Sequence, residues 1–300
     1  MSFLKIANGC LFASIAATLV SLVLLVYPGL ILSIEFTGGT LMELALPESV
    51  TREQLLKDLQ AIPETMPLFT NASVTRTRTG TSFVRSSLLT NDQHLALTKQ
   101  LKTTYPTMQE LQFTTIGPTV SQSLKTRALI AIVIASIALI TYLAFAFRKI
   151  PKQLSPWKVG AVTVIAVLHD IAITVGIFTI LSHVTSFQAD TLFVSALLSI
   201  MGYSVNDTIV IFDRIRDNLI TGNKGESFTD LAVRSLKQSL SRTLSTGIAM
   251  LTMLTSLFIF GSESIRWFVL TLVLGTVIGT YSSFFVATPL LIFWKKKAVR

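Results

Sequence analysis

Two aspartates and one arginine stand where charged side chains are rarely found. Asp207 lies late in a long apolar run, within GYSVNDTIVIFDRIRDN (202–218). Asp170 sits near the middle of AVTVIAVLHDIAITVGIFTI, and Arg242 precedes a third apolar run, in SLSRTLSTGIAM. An ionised group in hydrocarbon is costly, so each must exchange its proton, meet an opposite charge or face a polar cavity. Burial favours the neutral form of a carboxyl group and a nearby guanidinium favours the anion. Where the two nearly balance, a small helix shift can move a proton on or off, which is what a relay requires. At 1.5 Å per residue Asp207 lies roughly 25 Å into its run, at a depth comparable with that of Arg242. The pair can therefore be a proton site or a fixed ion pair that locks two helices; a buried pair is an expensive lock, because desolvation can cancel its attraction. Asn206, Thr208 and Ser204 can supply hydrogen bonds or hold water. Thr246 stands four residues after Arg242 and shares its face. His169 precedes Asp170, but adjacent helical side chains point about 100° apart, so it serves either as a second relay group or as the partner of a neighbouring carbonyl. Asp213, Arg214, Arg216 and Asp217 read as a solvated collar where the helix leaves the membrane.

Positioning these groups requires membrane helices. Of 300 residues, 51% are hydrophobic and only 14% charged, which makes a polytopic membrane protein. Six runs approach the roughly 20 residues needed to cross hydrocarbon, near 9–32, 128–147, 159–182, 190–212, 243–261 and 266–293. The first is too long for a signal core and has no clear cleavage site, so it is expected to stay as a helix. The net charge of +9 resides in short stretches beside apolar runs (148–158, 214–242 and the tail from Lys295), which excludes a nucleic-acid patch and puts both termini in the cytoplasm. Cys10 is the single cysteine, so no intrachain disulfide can form. Gly275 and Gly279 form a GxxxG pair that permits close helix packing. Between 227 and 241, apolar residues at helical spacing predict an amphipathic helix, lying on the membrane surface or against a partner helix.

Residues 1–32 thus comprise the N-terminus and first span, 33–120 a soluble domain, and 121–300 the remaining spans. The domain reads as βαββαβ, an α+β ferredoxin-like sheet. SIEFTGGTLMELALP is expected as a strand with a glycine pair, followed by a helix capped at Thr51 and a hairpin folded at Thr79–Gly80. A second helix opens on Asn91 or Asp92, and a last strand precedes Pro118. Asn71-Ala72-Ser73 matches a glycosylation acceptor, a pattern common by chance. No acid, His or Cys cluster has metal-ligand spacing, and no nucleophile stands beside a base.

Five segments in order carry a resemblance. IEFTGGT (34–40), LHDIAITVGIF, GYSVNDTIVIFDRIRDN, SRTLSTGIAMLTMLTSLFIFG and GTVIGTYSSFFVATPLL resemble elements of the SecD/SecF protein-export family, of the RND superfamily, over nearly the whole chain and most closely its SecF branch. The resemblance implies a six-helix half that pairs with SecD, acts with the SecYEG channel and a YajC-like subunit on unfolded preprotein in the bacterial inner membrane, and uses protons as coupling ion with no bound cofactor and no hydrolytic site. It implies Asp207 as the proton carrier, with Asp170 and Arg242 in the same network. Phe36, Gly38 and Gly39 fall in the family's domain motif, where Glu35 replaces the usual Asp and is assigned no role. GSESIRWF is more polar than the family's turn. Two other readings stand beside this one: half of an RND-type exporter of small molecules or lipids, which the small soluble domain disfavours, and a non-transporting scaffold of the translocase.

Overall fold

The computed structural model describes residues 2–47, 49–62, 66–70, 72–76, 80–148, 155–221 and 226–297. The acceptor triplet at Asn71, the fold-back at Thr79 and the basic stretches 149–154 and 298–300 lie outside the described residues. The chain forms two compact units, one from 1–30, 130–181 and 192–300, the other from 31–129 and 182–191. Six helical runs among the described residues are long and apolar enough to cross a membrane. They are α1 (Ser2–Val26), α6 (Pro118–Ala146), α7 (Pro156–Val184), α8 (Thr191–Thr221), α9 (Phe228–Phe260), and a final run made of α10 (Arg266–Ser282) and α11 (Thr288–Lys297). Helix α6 starts well before position 128, because Pro118 is at home in a first helical turn and the polar residues after it are compatible with helix.

In the helical unit, burial divides the spans. The most apolar windows of α7, α8 and the final run are 56%, 50% and 50% buried, against 11%, 6% and 17% for α1, α6 and α9. Close approach comes from small residues: a Cβ on Gly275 would fall 2.1 Å from Ile200 Cδ1, one on Gly279 3.0 Å from Ser204 Cβ, and one on Gly176 2.3 Å from Ser21 Oγ. Between α10 and α11 the backbone makes a π-helical turn over Ser283–Ala287. Pro289 follows, has no N–H to give, and is a usual cause of such local rearrangement; the Thr288 hydroxyl donates to the Ser283 carbonyl at 3.0 Å.

The amphipathic segment at 227–241 is not a separate surface helix. Ser227 caps the start of α9, which runs unbroken into the fifth span. Leu231 and Leu236 face inward instead, 5% and 3% exposed, and join Ile211, Phe212 and Ile215 of α8 in one core, while Leu240 is exposed. No Pro or Gly interrupts the sequence from 228 to 246, so nothing in it calls for a break.

The second unit holds a four-stranded antiparallel sheet, β1 (Gly39–Ala45), β2 (Ser73–Arg76), β3 (Thr81–Ser86) and β4 (Gln109–Ile116), in the order β2-β3-β1-β4. That is the ferredoxin-like arrangement. Val74, Val84 and Met42 align across three strands, and on this face pack Leu55 and Leu59 of α3 (Arg52–Gln60) and Leu97 and Leu101 of α5 (Asn91–Thr104), with Phe69 from the short α4 (Met66–Phe69). Helix α5 opens on Asn91, as expected, behind a capping box in which Thr90 accepts from the Gln93 amide and the Gln93 side chain accepts from the Thr90 amide.

The start of the expected first strand is helical: Ile34–Thr37 forms a single turn, α2, because the Ser33 hydroxyl caps it by accepting from the Glu35 amide. The glycine pair then turns the chain into β1. Gly39 has φ +124° and lies so near β3 that a Cβ would meet the Ser86 carbonyl at 2.6 Å. Just before α2, the backbone pairs in parallel with the α7–α8 connection: Ser33 donates to the Ala189 carbonyl at 2.8 Å and Ala189 to that of Ile31 at 2.9 Å.

Candidate functional site

Three buried helices bring the intramembrane polar groups together. Asp170 lies at the midpoint of α7 and is fully buried. Its Oδ2 accepts from Ser204 Oγ of α8 at 2.6 Å and from Ser282 Oγ of α10 at 2.8 Å, while His169 Nδ1 lies 2.8 Å from Oδ1. His169 and Asp170 thus bond each other despite their divergent directions, which the sequence argument did not foresee; both side chains are buried. One turn after Ser204 and one residue after Ser282, the Thr208 and Ser283 hydroxyls are 2.9 Å apart, and each also bonds a main-chain carbonyl. Both oxygens of the Asp170 carboxyl therefore have partners, and the group ties three helices.

Asp207 is different. It is 1% exposed, yet its Oδ2 accepts only one bond, from Thr280 Oγ1 of α10 at 3.2 Å, and its Oδ1 is buried with no partner among the described residues. A carboxyl group so placed keeps an open acceptor where a proton or a donor can arrive. One turn earlier on α8 is Tyr203, and Thr243 is buried on α9.

Arg242 makes no ion pair with Asp207 or with any other acid among the described residues. It is exposed on α9, and its carbonyl accepts from Thr246 Oγ1 at 3.1 Å. The expected pair is absent because Thr243, the next residue, is the one that α9 turns inward. Asn206 is likewise exposed on α8, and Thr246 on α9. The collar at the end of α8 is as expected for solvated charges: Arg216 pairs with Asp213 at 2.7 Å and with Asp217 at 3.4 Å, all partly exposed.

In the other unit, Ile34 and Phe36 are buried and Gly38 and Gly39 make the turn described above. Glu35 has a role the sequence reading did not give it. Its Oε2 accepts from the amide of Thr191 at 2.6 Å, the first residue of α8. A carboxylate there satisfies one of the orphan donors at a helix start and suits the positive end of its dipole. Ser282, Ser283 and Thr280 were also missed, although their spacing beside Gly279 was a usable sign of a small, polar helix face.

Comparison with known proteins places these features. Residues 96–297 match the family described as protein export membrane protein SecD/SecF, C-terminal. The protein translocase subunit SecF of Thermobaculum terrenum is 38% identical over 90% of this chain and 86% of its own length. The SecF subunit of Anaerolinea thermophila is 34% identical over 94% of this chain and 90% of its own. Among solved structures, SecDF of Thermus thermophilus, a translocon-associated membrane protein, superposes on 99% of this chain with a TM-score of 0.86 at 28% identity. A super-membrane-facing form of SecDF superposes with a TM-score of 0.68 at 27% identity. This chain covers 39% of the SecDF chain in each case.

Proposed function

We infer function from an established premise: this chain belongs to the SecD/SecF family of protein-export membrane proteins. It is a multi-pass membrane protein and an accessory subunit of the Sec protein translocase. We propose that it works with SecD, and that proton flow through the paired subunits drives late steps of export. In this reading the SecYEG channel hands over an unfolded preprotein, a YajC-like subunit joins the assembly, and proton movement rather than nucleotide hydrolysis supplies the work. Both termini face the cytoplasm of a bacterial inner membrane, as the basic loops require.

The observation that carries the reading is the contrast between the two buried acids. Asp170 has both oxygens engaged, whereas Asp207 leaves one oxygen open in a site sealed from lipid. A second feature supports the partner. Ser241, Arg242, Ser245 and Thr246 fall on one exposed face of α9, in an otherwise apolar span. Thr246 bonds back to its own helix, but lipid would leave the Arg242 guanidinium without a partner, so a protein must cover this face. SecD is the occupant we assign, with Arg242 completing the proton network at that interface.

Asp207→Asn tests this directly. In membrane vesicles holding the assembled complex, the variant is expected to keep assembly and to lose the stimulation of export by a proton gradient. Undiminished stimulation would leave the chain a passive scaffold.

A further inference from the structure

Five buried side-chain polar atoms among the described residues have no hydrogen-bond partner, and three of them lie on neighbouring stretches of α8 and α9: Asp207 Oδ1, the Tyr203 hydroxyl and Thr243 Oγ1. Two contacts give the register of α8 and α9. Asn218 Nδ2 donates to Ser235 Oγ at 2.7 Å, and the Tyr203 hydroxyl faces Gly247, where a Cβ would lie 3.3 Å away. The helices therefore run antiparallel between these points. Thr243, one turn before Gly247, falls level with Asp207, one turn after Tyr203.

Thr243 is unusual for its class. Thr163, Thr174, Thr179, Thr208, Thr252 and Thr271 each turn the hydroxyl back onto the carbonyl four residues earlier. Thr243 is 1% exposed and does not. A buried hydroxyl that declines the partner in its own helix is costly unless something else engages it. Gly247 supplies the room: the same Cβ position is 3.4 Å from Thr280 Oγ1, the donor to Asp207. Any side chain there would fill the space between the Tyr203 and Thr280 hydroxyls.

We propose that Tyr203, Thr243, Thr280 and the open oxygen of Asp207 form a water-binding site, kept open by Gly247, through which protons reach the carboxyl group. Hydroxyls both give and accept hydrogen bonds, and water needs two to four such partners in a buried polar site. Tyr203 and Thr243 are positioning residues: they hold the water in line, and Asp207 exchanges the proton. The site rests on the proton-driven reading above.

The test uses the complex with SecD in vesicles, with Asp207→Asn as reference. Tyr203→Phe and Thr243→Val each remove one hydroxyl at nearly constant shape, and Thr243→Ser restores it. Gradient-stimulated export is expected to fall about tenfold in the first two, as for loss of one well-placed hydrogen bond, and to recover in Thr243→Ser. Infrared difference spectra taken as the gradient is applied should show a bound-water O–H band that moves in ¹⁸O-labelled water. That band should vanish in Tyr203→Phe, in Thr243→Val and in Gly247→Ala. Normal export and an intact band in Tyr203→Phe and Thr243→Val would overturn the site. So would stimulation that follows a sodium gradient and not a proton gradient, because the oxygens would then be ligands of a cation. Unchanged export in Asp207→Asn would instead sink the proton-driven reading, and the water site would stand or fall on the isotope-sensitive band.

Discussion

Removing Asp170 should damage the fold more than removing the charge of Asp207. Asp170→Ala deletes the acceptor of two serine hydroxyls, at 2.6 and 2.8 Å, and the partner of His169 at 2.8 Å. Hydrogen bonds between membrane helices contribute about 0.6 kcal/mol on average and up to about 1.7. Three of them amount to about 2–5 kcal/mol. Ser282 keeps its 3.1 Å bond to the Gly279 carbonyl, whereas Ser204 has no other acceptor, which points to the lower half of that range. The folded-to-unfolded ratio should then drop by roughly twentyfold to several hundredfold. Asp207→Asn loses far less: its single bond from Thr280 can be accepted by the amide oxygen, so the expected cost stays under about 0.6 kcal/mol. The measurement is unfolding of the assembled complex in lipid bicelles, by titration with a denaturing detergent, for wild type and both variants. A larger loss in Asp207→Asn than in Asp170→Ala would refute the division of labour between the two acids.

Glu35→Ala should remove the cap on α8 at a cost of about 0.5–2 kcal/mol and speed hydrogen exchange at the Thr191 amide; equal exchange in both proteins would show that the carboxylate is not engaged. Gly279→Val should overpack the α8–α10 contact, displacing Ser204 and costing about 1–3 kcal/mol, with thermal inactivation of the complex as the readout. Leu236→Ala should cost about 2–5 kcal/mol, since Leu236 is core and not membrane surface; a cost near zero would restore the surface-helix reading of 227–241. In the sheet unit, burial and a hydrogen bond to Asp58 push the Tyr105 phenol up to about 12. The folded chain holds that proton more tightly than the unfolded one, so this contribution is intact below about pH 10 and declines as pH rises toward 12. Tyr105→Phe should lack that alkaline limb in denaturant midpoints measured against pH.

The spans, the ferredoxin-like order and the placing of Asp170 and Asp207 on buried helices were legible because each depends on composition or a repeating period. What was not legible depends on distance in space. Nothing in the spacing of 227–241 distinguishes a helix lying on lipid from one packed on α8, since both bury the same apolar stripe. Glu35 was unreadable for a related reason: its partner is a main-chain amide far along the chain, and an amide has no letter. That Arg242 does not pair with Asp207 within this chain was not legible, because equal depth does not fix a shared face; one residue of rotation on α9 gives the buried face to Thr243. The serines around Asp170 were partly readable, as small polar residues at helical spacing beside a glycine.

The parallel bridge between residues 31–33 and Ala189 joins the chain entering the sheet to the connection between the two helices that carry the acids. It is made of peptide groups, which recognise no particular side chain. The side chain of Leu32 can therefore change while the tether persists, whereas Ser33 is also held by its cap on α2, and proline at 33 or 189, with no N–H to offer, is the substitution that would cut the tether. A linkage of this sort leaves no signature in an alignment of relatives.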